Sequence, residues 1–259
     1  MPVYKTEYFS GDVYEAEIYF SPRVAGKNIP RGKNQNLSSE QQLERNLRNA
    51  QKKLSRLINT NFGFGDIFIT LTYAEEPEET GAQKMMKKYI RRIRNLRRKN
   101  GVPELKYIAV TESGDKRIHH HIIMSRLDYE AAIGLWDHGR VIISRMDQEV
   151  DYTGLAHYIT KDTRKQSGKR WSQSKNLDKP KVVRKEVKRP KAKLRIPKGY
   201  KEIVREHYAS EQLGEMQYLK AVKLGGMDYA LGIPEDNKKY GGGRFERTRD
   251  RDQLYSHRL

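Results

Sequence analysis

The sequence predicts an α+β protein: a central antiparallel sheet with helices on one face, followed by a basic C-terminal extension. Three observations lead there. Lys106–Glu112 and Arg117–Arg126 are apolar runs around Ser113-Gly-Asp-Lys116, a hairpin signal. Asp66-Ile-Phe-Ile-Thr-Leu-Thr-Tyr73 alternates as a strand does, with Ile67, Ile69 and Leu71 on one face and Phe68, Thr70 and Thr72 on the other. Segments with apolar residues at helical spacing lie between these strands. The resulting order of strand, helix, hairpin, short helix, strand and helix suits an antiparallel sheet with its opposite face open.

In chain order, Val13-Tyr-Glu-Ala-Glu-Ile-Tyr-Phe20 is a candidate strand, and Gly26 to Gln35 reads as a loop. A helix is expected from Ser38 or Ser39, both capping residues with Gln three positions on. Leu43, Leu47, Ala50, Leu54 and Leu57/Ile58 form its apolar stripe. Asp66–Tyr73 follows as a strand, then an acidic loop from Ala74 to Gly81. Gln83 to Asn100 is a helix with Met86, Tyr89, Ile90, Ile93 and Leu96 inward. After the hairpin come a short helix over Leu127–Leu135 and a strand over Gly139–Arg145. Asp151 then caps a helix running to Lys161 or Thr163.

The net charge of +19 over 259 residues calls for a polyanionic partner, first of all nucleic acid. No apolar run approaches the ~20 residues of a membrane span. Met1-Pro-Val-Tyr-Lys5 lacks an apolar signal region, so a cytoplasmic protein is expected. The absence of cysteine excludes disulfides, thiolate metal sites and cysteine nucleophiles.

The hairpin carries the first chemical signal. With residues 113 to 116 as a four-residue loop, Glu112 pairs with Arg117, Val110 with His119 and Ile108 with His121. Glu112, His119 and His121 then share a face, with Glu112 about 7–8 Å diagonally from His119. Two imidazoles and a carboxylate on one face make a divalent-metal site with open positions. The same spacing also suits half-exposed polar residues. His120 points to the other face, and an odd-length loop would put Glu112 there as well.

The second signal lies on the last helix of the core. Tyr158 and Lys161, spaced i, i+3, share a face. Tyr158 is at the edge of the apolar stripe formed by Tyr152, Leu155, Ala156 and Ile159. A free phenol, with pKa near 10, is a poor nucleophile at neutral pH. A nearby ammonium and a metal-polarised phosphate would activate it.

Together these segments resemble the HUH endonucleases, most closely the rolling-circle replication initiators (Rep proteins) of phages and plasmids. That family has three motifs in order, here matched by Phe68-Ile-Thr-Leu-Thr-Tyr73, His119-His-His121 and Tyr158-Ile-Thr-Lys161. The resemblance implies an HUH fold, related to RRM and ferredoxin-like sheets. It implies Mg²⁺ or Mn²⁺ on His119, His121 and Glu112, with Tyr158 as nucleophile and Lys161 stabilising charge. The implied product is a 5′-phosphotyrosine with a free 3′-OH on single-stranded or origin DNA. Thr70, Thr72 and Arg117, and Lys169, Arg170 and Trp171 after the tyrosine, are candidate DNA contacts. His120 departs from the usual bulky apolar residue; it packs towards the helices or replaces a neighbour as ligand. Gly154 stands where some phage members carry a second tyrosine, which leaves Tyr152 as the remaining second-nucleophile candidate. No helicase phosphate loop is present, so a host helicase and polymerase are expected partners in a bacterial cell, for a phage- or plasmid-encoded protein.

The expected organisation is residues 1–65 as a strand and helix packing on the core, 66–165 as the endonuclease core, 166–235 as a basic extension and 236–259 as a disordered tail. Arg164 to Lys201 is either a DNA-tracking arm or a basic linker. Segments 199–208 and 215–222 are strands or short helices of an added layer. Two other readings compete. A single-tyrosine transposase or relaxase would share the chemistry, although small size and the phage-like first motif argue against a relaxase. A non-catalytic RNA- or DNA-binding module would need aromatics on the sheet face in place of the histidines.

Overall fold

The computed structural model describes residues 2–20, 40–113, 117–146, 149–161, 169–188, 193–210 and 214–225. The first helix position, Ser38 or Ser39, and the tail 236–259 lie outside them. The elements are β1 (Val3–Ser10), β2 (Val13–Phe20), α1 (Glu40–Asn61), β3 (Ile67–Thr72), α2 (Glu79–Lys99), β4 (Tyr107–Glu112) and β5 (His119–Met124). Then follow α3 (Tyr129–Gly134), β6 (Val141–Arg145), α4 (Thr153–Tyr158), β7 (Ser172–Gln173), β8 (Lys181–Glu186), β9 (Tyr200–Ser210) and β10 (Gly214–Lys223). No helix among the described residues is long and apolar enough to cross a membrane.

The α+β class holds, as two five-stranded antiparallel sheets with four helices. The first sheet has the order β6-β3-β5-β4-β7 and grows from the alternation already visible in β3. Ile67, Ile69 and Leu71 bury against Ala82, Met86, Tyr89, Ile90 and Ile93 of α2, together with Ile122 and Met124 of β5. α2 starts four residues before the sequence suggests. The end of the acidic loop is its first turn, where Glu79 meets the positive end of the helix dipole. At its other end Arg97 is buried and donates to Pro103 O and Arg126 O, both at 2.7 Å. Gly139 brings the chain back against β3. A Cβ there would sit 2.3 Å from Thr72 O, so only glycine fits.

Helices on one face is the part of the expectation that changes. α2 and α3 cover one face, while α1 and α4 cover much of the other. Leu54, Leu57, Ile58 and Phe62 of α1 need apolar partners and find them in Ile108, Val110 and Ile123. Ala156 and Ile159 from the α4 segment join the same cluster. What remains of that face is the end bearing Thr70, Glu112, His119 and His121.

The second sheet has the order β8-β1-β2-β10-β9. β2 forms a two-residue hairpin with β1 through Gly11-Asp12. Its other edge takes β10, from beyond residue 213. The segments 199–208 and 215–222 are therefore strands, and segments from 1–65 and 166–235 meet in one sheet. Part of the basic stretch 164–201 is likewise strand: β7 pairs with β4, and β8 with β1.

α1 lies between the sheets and faces both. Opposite its apolar stripe, the Arg56 guanidinium donates to Glu15 Oε2 at 2.6 and 2.9 Å and stacks over the Tyr8 ring at 3.4 Å. Both charged groups are buried. Arg56→Met should therefore cost about 3–5 kcal/mol in denaturant unfolding, because Glu15 is left buried and unpaired. Replacing both, Arg56→Met with Glu15→Leu, should recover most of that loss.

Candidate metal centre

The β4–β5 ladder pairs Glu112 with His119, Thr111 with His120 and Val110 with His121. The connection thus spans 113–118, two residues longer than the four-residue loop expected. Arg117 and Ile118 leave the ladder because they bind the segment after β3. Arg117 donates to Tyr73 O and Ala74 O at 3.2 and 2.9 Å, and Ile118 N donates to Glu76 Oε1 at 2.9 Å. An even change of length preserves parity, so the three candidate ligands still share a face. Glu112 moves from a diagonal neighbour of His119 to its direct partner.

The ligand atoms of Glu112, His119 and His121 all lie within 4.8 Å of one another. Glu112 Oε2 is 2.9 Å from His119 Nε2, and Glu112 Oε1 is 3.5 Å from His121 Nε2. Each imidazole is held from behind. His119 Nδ1 is 2.9 Å from Arg117 O, and His121 Nδ1 is 3.1 Å from Thr70 Oγ1. A carbonyl requires Nδ1–H on His119, and the Thr70 hydroxyl can accept the same proton from His121. Both Nε2 lone pairs then face the carboxylate. Glu112 Oε1 and His121 Nε2 are buried without an aligned hydrogen-bond partner among the described residues. Buried polar atoms left so are uncommon, and a cation between them would satisfy both. The residues present therefore fit a divalent ion.

Charge agrees with geometry. Burial opposes ionisation of Glu112, but His119 and His121 in their protonated forms, which donate to it from Nε2, outweigh burial and hold the carboxyl at about 2. Burial pushes the His121 imidazole below its ordinary value; Glu112 pulls the other way, and the charges of His119 and Lys161 add to the fall. A neutral imidazole beside an ionised carboxylate is the state a metal binds. His120 is no ligand in this arrangement. It is fully buried on the α2 face, with Tyr73 Oη 2.7 Å from Nε2 and Thr111 Oγ1 2.9 Å from Nδ1, and burial lowers its pKa to about 4.

α4 brings Tyr158 to this cluster. Its ring centroid is 5.2 Å from that of His121 and 6.4 Å from that of Phe68, which itself stacks on His121 at 5.5 Å. Lys161 Nζ is 5.0 Å from the Tyr158 ring centroid. The helix is shorter than expected, ending at Tyr158, but the turn that follows keeps Lys161 beside the phenol. Tyr152 has another place. It is buried against α1, with its hydroxyl donated to Met146 O at 2.7 Å, which makes it a packing residue rather than a second nucleophile.

The remaining candidates surround the centre unevenly. Thr70, a candidate DNA contact, has its hydroxyl on His121 Nδ1. Thr72 donates to Arg140 O at 3.3 Å, and Arg117 is exposed at the hairpin mouth. Lys169, Arg170 and Trp171 run into β7 at the opposite edge of the sheet from β6. The sequence reading missed Phe68 as a wall of the site, although it lies on the same strand face as Thr70.

Asp151, expected as the cap, sits one residue before the cap position Tyr152 and still holds the start of α4, but its distant partners were missed. Asp151 Oδ1 accepts from Thr153 N, Thr153 Oγ1 and Asn59 Nδ2, and Asn59 Oδ1 accepts from Tyr152 N. Lys220, buried on β10, reaches across from the second sheet to Asp151 Oδ2 at 2.8 Å and to Thr153 Oγ1. Nothing in Tyr218-Leu-Lys-Ala-Val222 marks this lysine as buried.

Residues 66–163 match the family model of replication-associated protein ORF2/G2P. The chain is similar to the crystal structure of the hypothetical protein ORF119 from Sulfolobus islandicus rod-shaped virus 1. That likeness has 18% identity and a TM-score of 0.32, and covers 46% of this chain and 97% of that one. No curated protein matches.

Lys220→Met should destabilise the protein by about 3–5 kcal/mol in urea unfolding, since it strands the Asp151 carboxylate. Burial raises the Asp151 pKa, but Lys220 and the hydrogen bonds from Thr153 and Asn59 bring it below the ordinary value. Its contribution is thus present above the ordinary aspartate value of about 4 and lost as pH falls through the lower folded value. The stability gap between wild type and variant should narrow in that acid range.

Proposed function

We propose that this chain, with its replication-associated segment 66–163, is a rolling-circle replication initiator that nicks and rejoins single-stranded DNA through Tyr158. One observation carries the reading: a phenol packed on one of two imidazoles whose Nε2 atoms converge on a buried carboxylate. A purely nucleic-acid-binding sheet has no need of that combination, and no helicase phosphate loop accompanies it.

His119, His121 and Glu112 would hold a divalent ion. Two nitrogens and one carboxylate suit Mg²⁺ or Mn²⁺. When bound, such an ion polarises the scissile phosphate and offsets the charge that develops on it. The chain's own groups do the rest. Thr70 and the Arg117 carbonyl hold the imidazoles in the ligating tautomer. The Lys161 charge favours the phenolate of Tyr158. Phe68 and His121 fix the phenol ring for in-line attack. The Tyr158 Oη–P bond forms as the P–O3′ bond breaks. The phenol gives up its proton, and the 3′ oxygen leaves as a hydroxyl able to prime synthesis. One phosphodiester is exchanged for another, so no nucleotide is consumed. Arg117, Thr72, Lys169, Arg170 and Trp171 would contact the strand, with cations on phosphates and the indole for stacking. With Tyr152 in the core, closing a replication cycle calls for a second active site, water or a host factor. Host helicase and polymerase would supply unwinding and synthesis.

The test is covalent capture. Labelled single-stranded DNA from the protein's own replicon, incubated with Mn²⁺, should yield a denaturation-resistant adduct. Tyr158→Phe should abolish it; an adduct that persists would move the nucleophile elsewhere. His119→Ala with His121→Ala should remove Mn²⁺ binding by calorimetry and adduct formation together. Thr70→Val should lower Mn²⁺ affinity about 10–100-fold, the usual cost of losing a partner behind a ligand, while the fold survives.

A further inference from the structure

A cleft of about 770 Å³ opens between α1, the second sheet and the segment joining β7 to β8. None of its lining residues belongs to 66–163, so the parts of the chain outside the family match build it. Four cations, Lys52, Lys53, Arg56 and Lys179, line it against one carboxylate, Glu17. That carboxylate is already taken, at 3.1 Å by Lys52 and 3.3 Å by Arg56. Lys53 and Lys179 are exposed and have no acidic partner among the described residues.

Aromatic and amide groups stand between the cations. Tyr208 is 52% exposed, and Trp171 is half-buried. The Trp171 indole N–H donates to Gln173 Oε1 at 2.8 Å, which fixes the ring and leaves the Gln173 amide donors for another partner. Trp171 also lines two adjoining clefts. One, of about 700 Å³, is bounded by Lys53, Lys169 and Arg170; the other, of about 510 Å³, lies on the α2 side of β4, against Ala109 and Thr111. Lys169 and Arg170 thus extend the basic lining from the cleft along the β7 edge of the first sheet, with the indole at its middle.

We propose that this cleft is a second DNA site, which takes an unpaired stretch of the same strand whose scissile phosphate lies at Tyr158. It rests on the nicking reading for what that strand is. Lys53 and Lys179 hold phosphates, Trp171 and Tyr208 stack bases, and Gln173 offers its amide to a base edge. An acidic peptide would use the cations but not the aromatic faces. Sequence preference outside the nick would therefore come from α1 and the second sheet rather than from the metal-bearing sheet.

The test uses the full chain and two dye-labelled single strands: one long enough only for the metal centre, the other several times longer. Anisotropy is followed against salt. Lys53→Gln with Lys179→Gln should weaken the long strand about tenfold and leave the short one within about twofold. The slope of log affinity against log salt should fall by about 1.4 for the long strand, or ~0.7 for each phosphate no longer neutralised. The long strand should also quench indole emission, and Trp171→Phe should remove that quench because Trp136 is buried. Equal losses on both strands, no loss on the long one, or tighter binding of polyglutamate or RNA overturns the proposal. The Tyr158 adduct is scored separately. No adduct with cleft-dependent binding intact would sink the nicking reading alone, and an adduct without cleft dependence would sink the cleft alone.

Discussion

The centre depends on one cross-strand pair, Glu112 opposite His119 in the β4–β5 ladder. That pairing puts a carboxylate between two imidazoles in a site where water is largely excluded. Burial alone would keep Glu112 protonated; the two ring nitrogens reverse that. The imidazoles in turn would be free to rotate or to change tautomer. Contacts at Nδ1 from Arg117 O and Thr70 prevent it. Each contact comes from an element that the hairpin itself positions, so a ladder slip of one residue would remove the ligands and their supports together.

The second sheet has a less visible part in the same centre. α4 has six residues, too few to be stable as an isolated helix. Its place is set by what grips it: Ala156 and the following Ile159 pack into the α1 cluster, while Asp151 and Thr153 are held by Asn59 and Lys220. Lys220 belongs to β10, and β10 exists as a paired strand because β2 accepts it. The position of the phenol is therefore tied to strands at both ends of the described chain, far in sequence from the histidines it faces.

Local rules made much of this legible. Alternation in Ile67–Thr72 foretold which side chains would be core and which would face the site. Period-two parity put Glu112, His119 and His121 together even though the loop is two residues longer than expected, since an even error leaves the faces unchanged. Helical spacing put Lys161 beside Tyr158. The failures share a physical origin in long-range partners. Nothing local shows that β2 pairs with β10, or that the unused face of the first sheet would receive α1. Glu15, Arg56 and Lys220 carry no local mark of burial, because a buried charge is recognised only through its partner. For Thr70 the side of the strand was legible, but not the imidazole waiting opposite.

These long-range ties have a consequence for how the chemistry and the recognition are divided. The first sheet supplies the Glu112, His119 and His121 atoms that meet within a few ångströms, and it does so with rigid ladder geometry. The cleft and its cations lie on the elements that also hold α4 in place. Arg56 faces the cleft and anchors α1 to Glu15; Asn59, one turn later on α1, holds Asp151 at the start of α4. A load applied at the cleft therefore acts on the helix that carries Tyr158 through packed and hydrogen-bonded groups, without passing through the metal ligands. The cleft and the Tyr158 site are therefore mechanically adjacent although their residues are not.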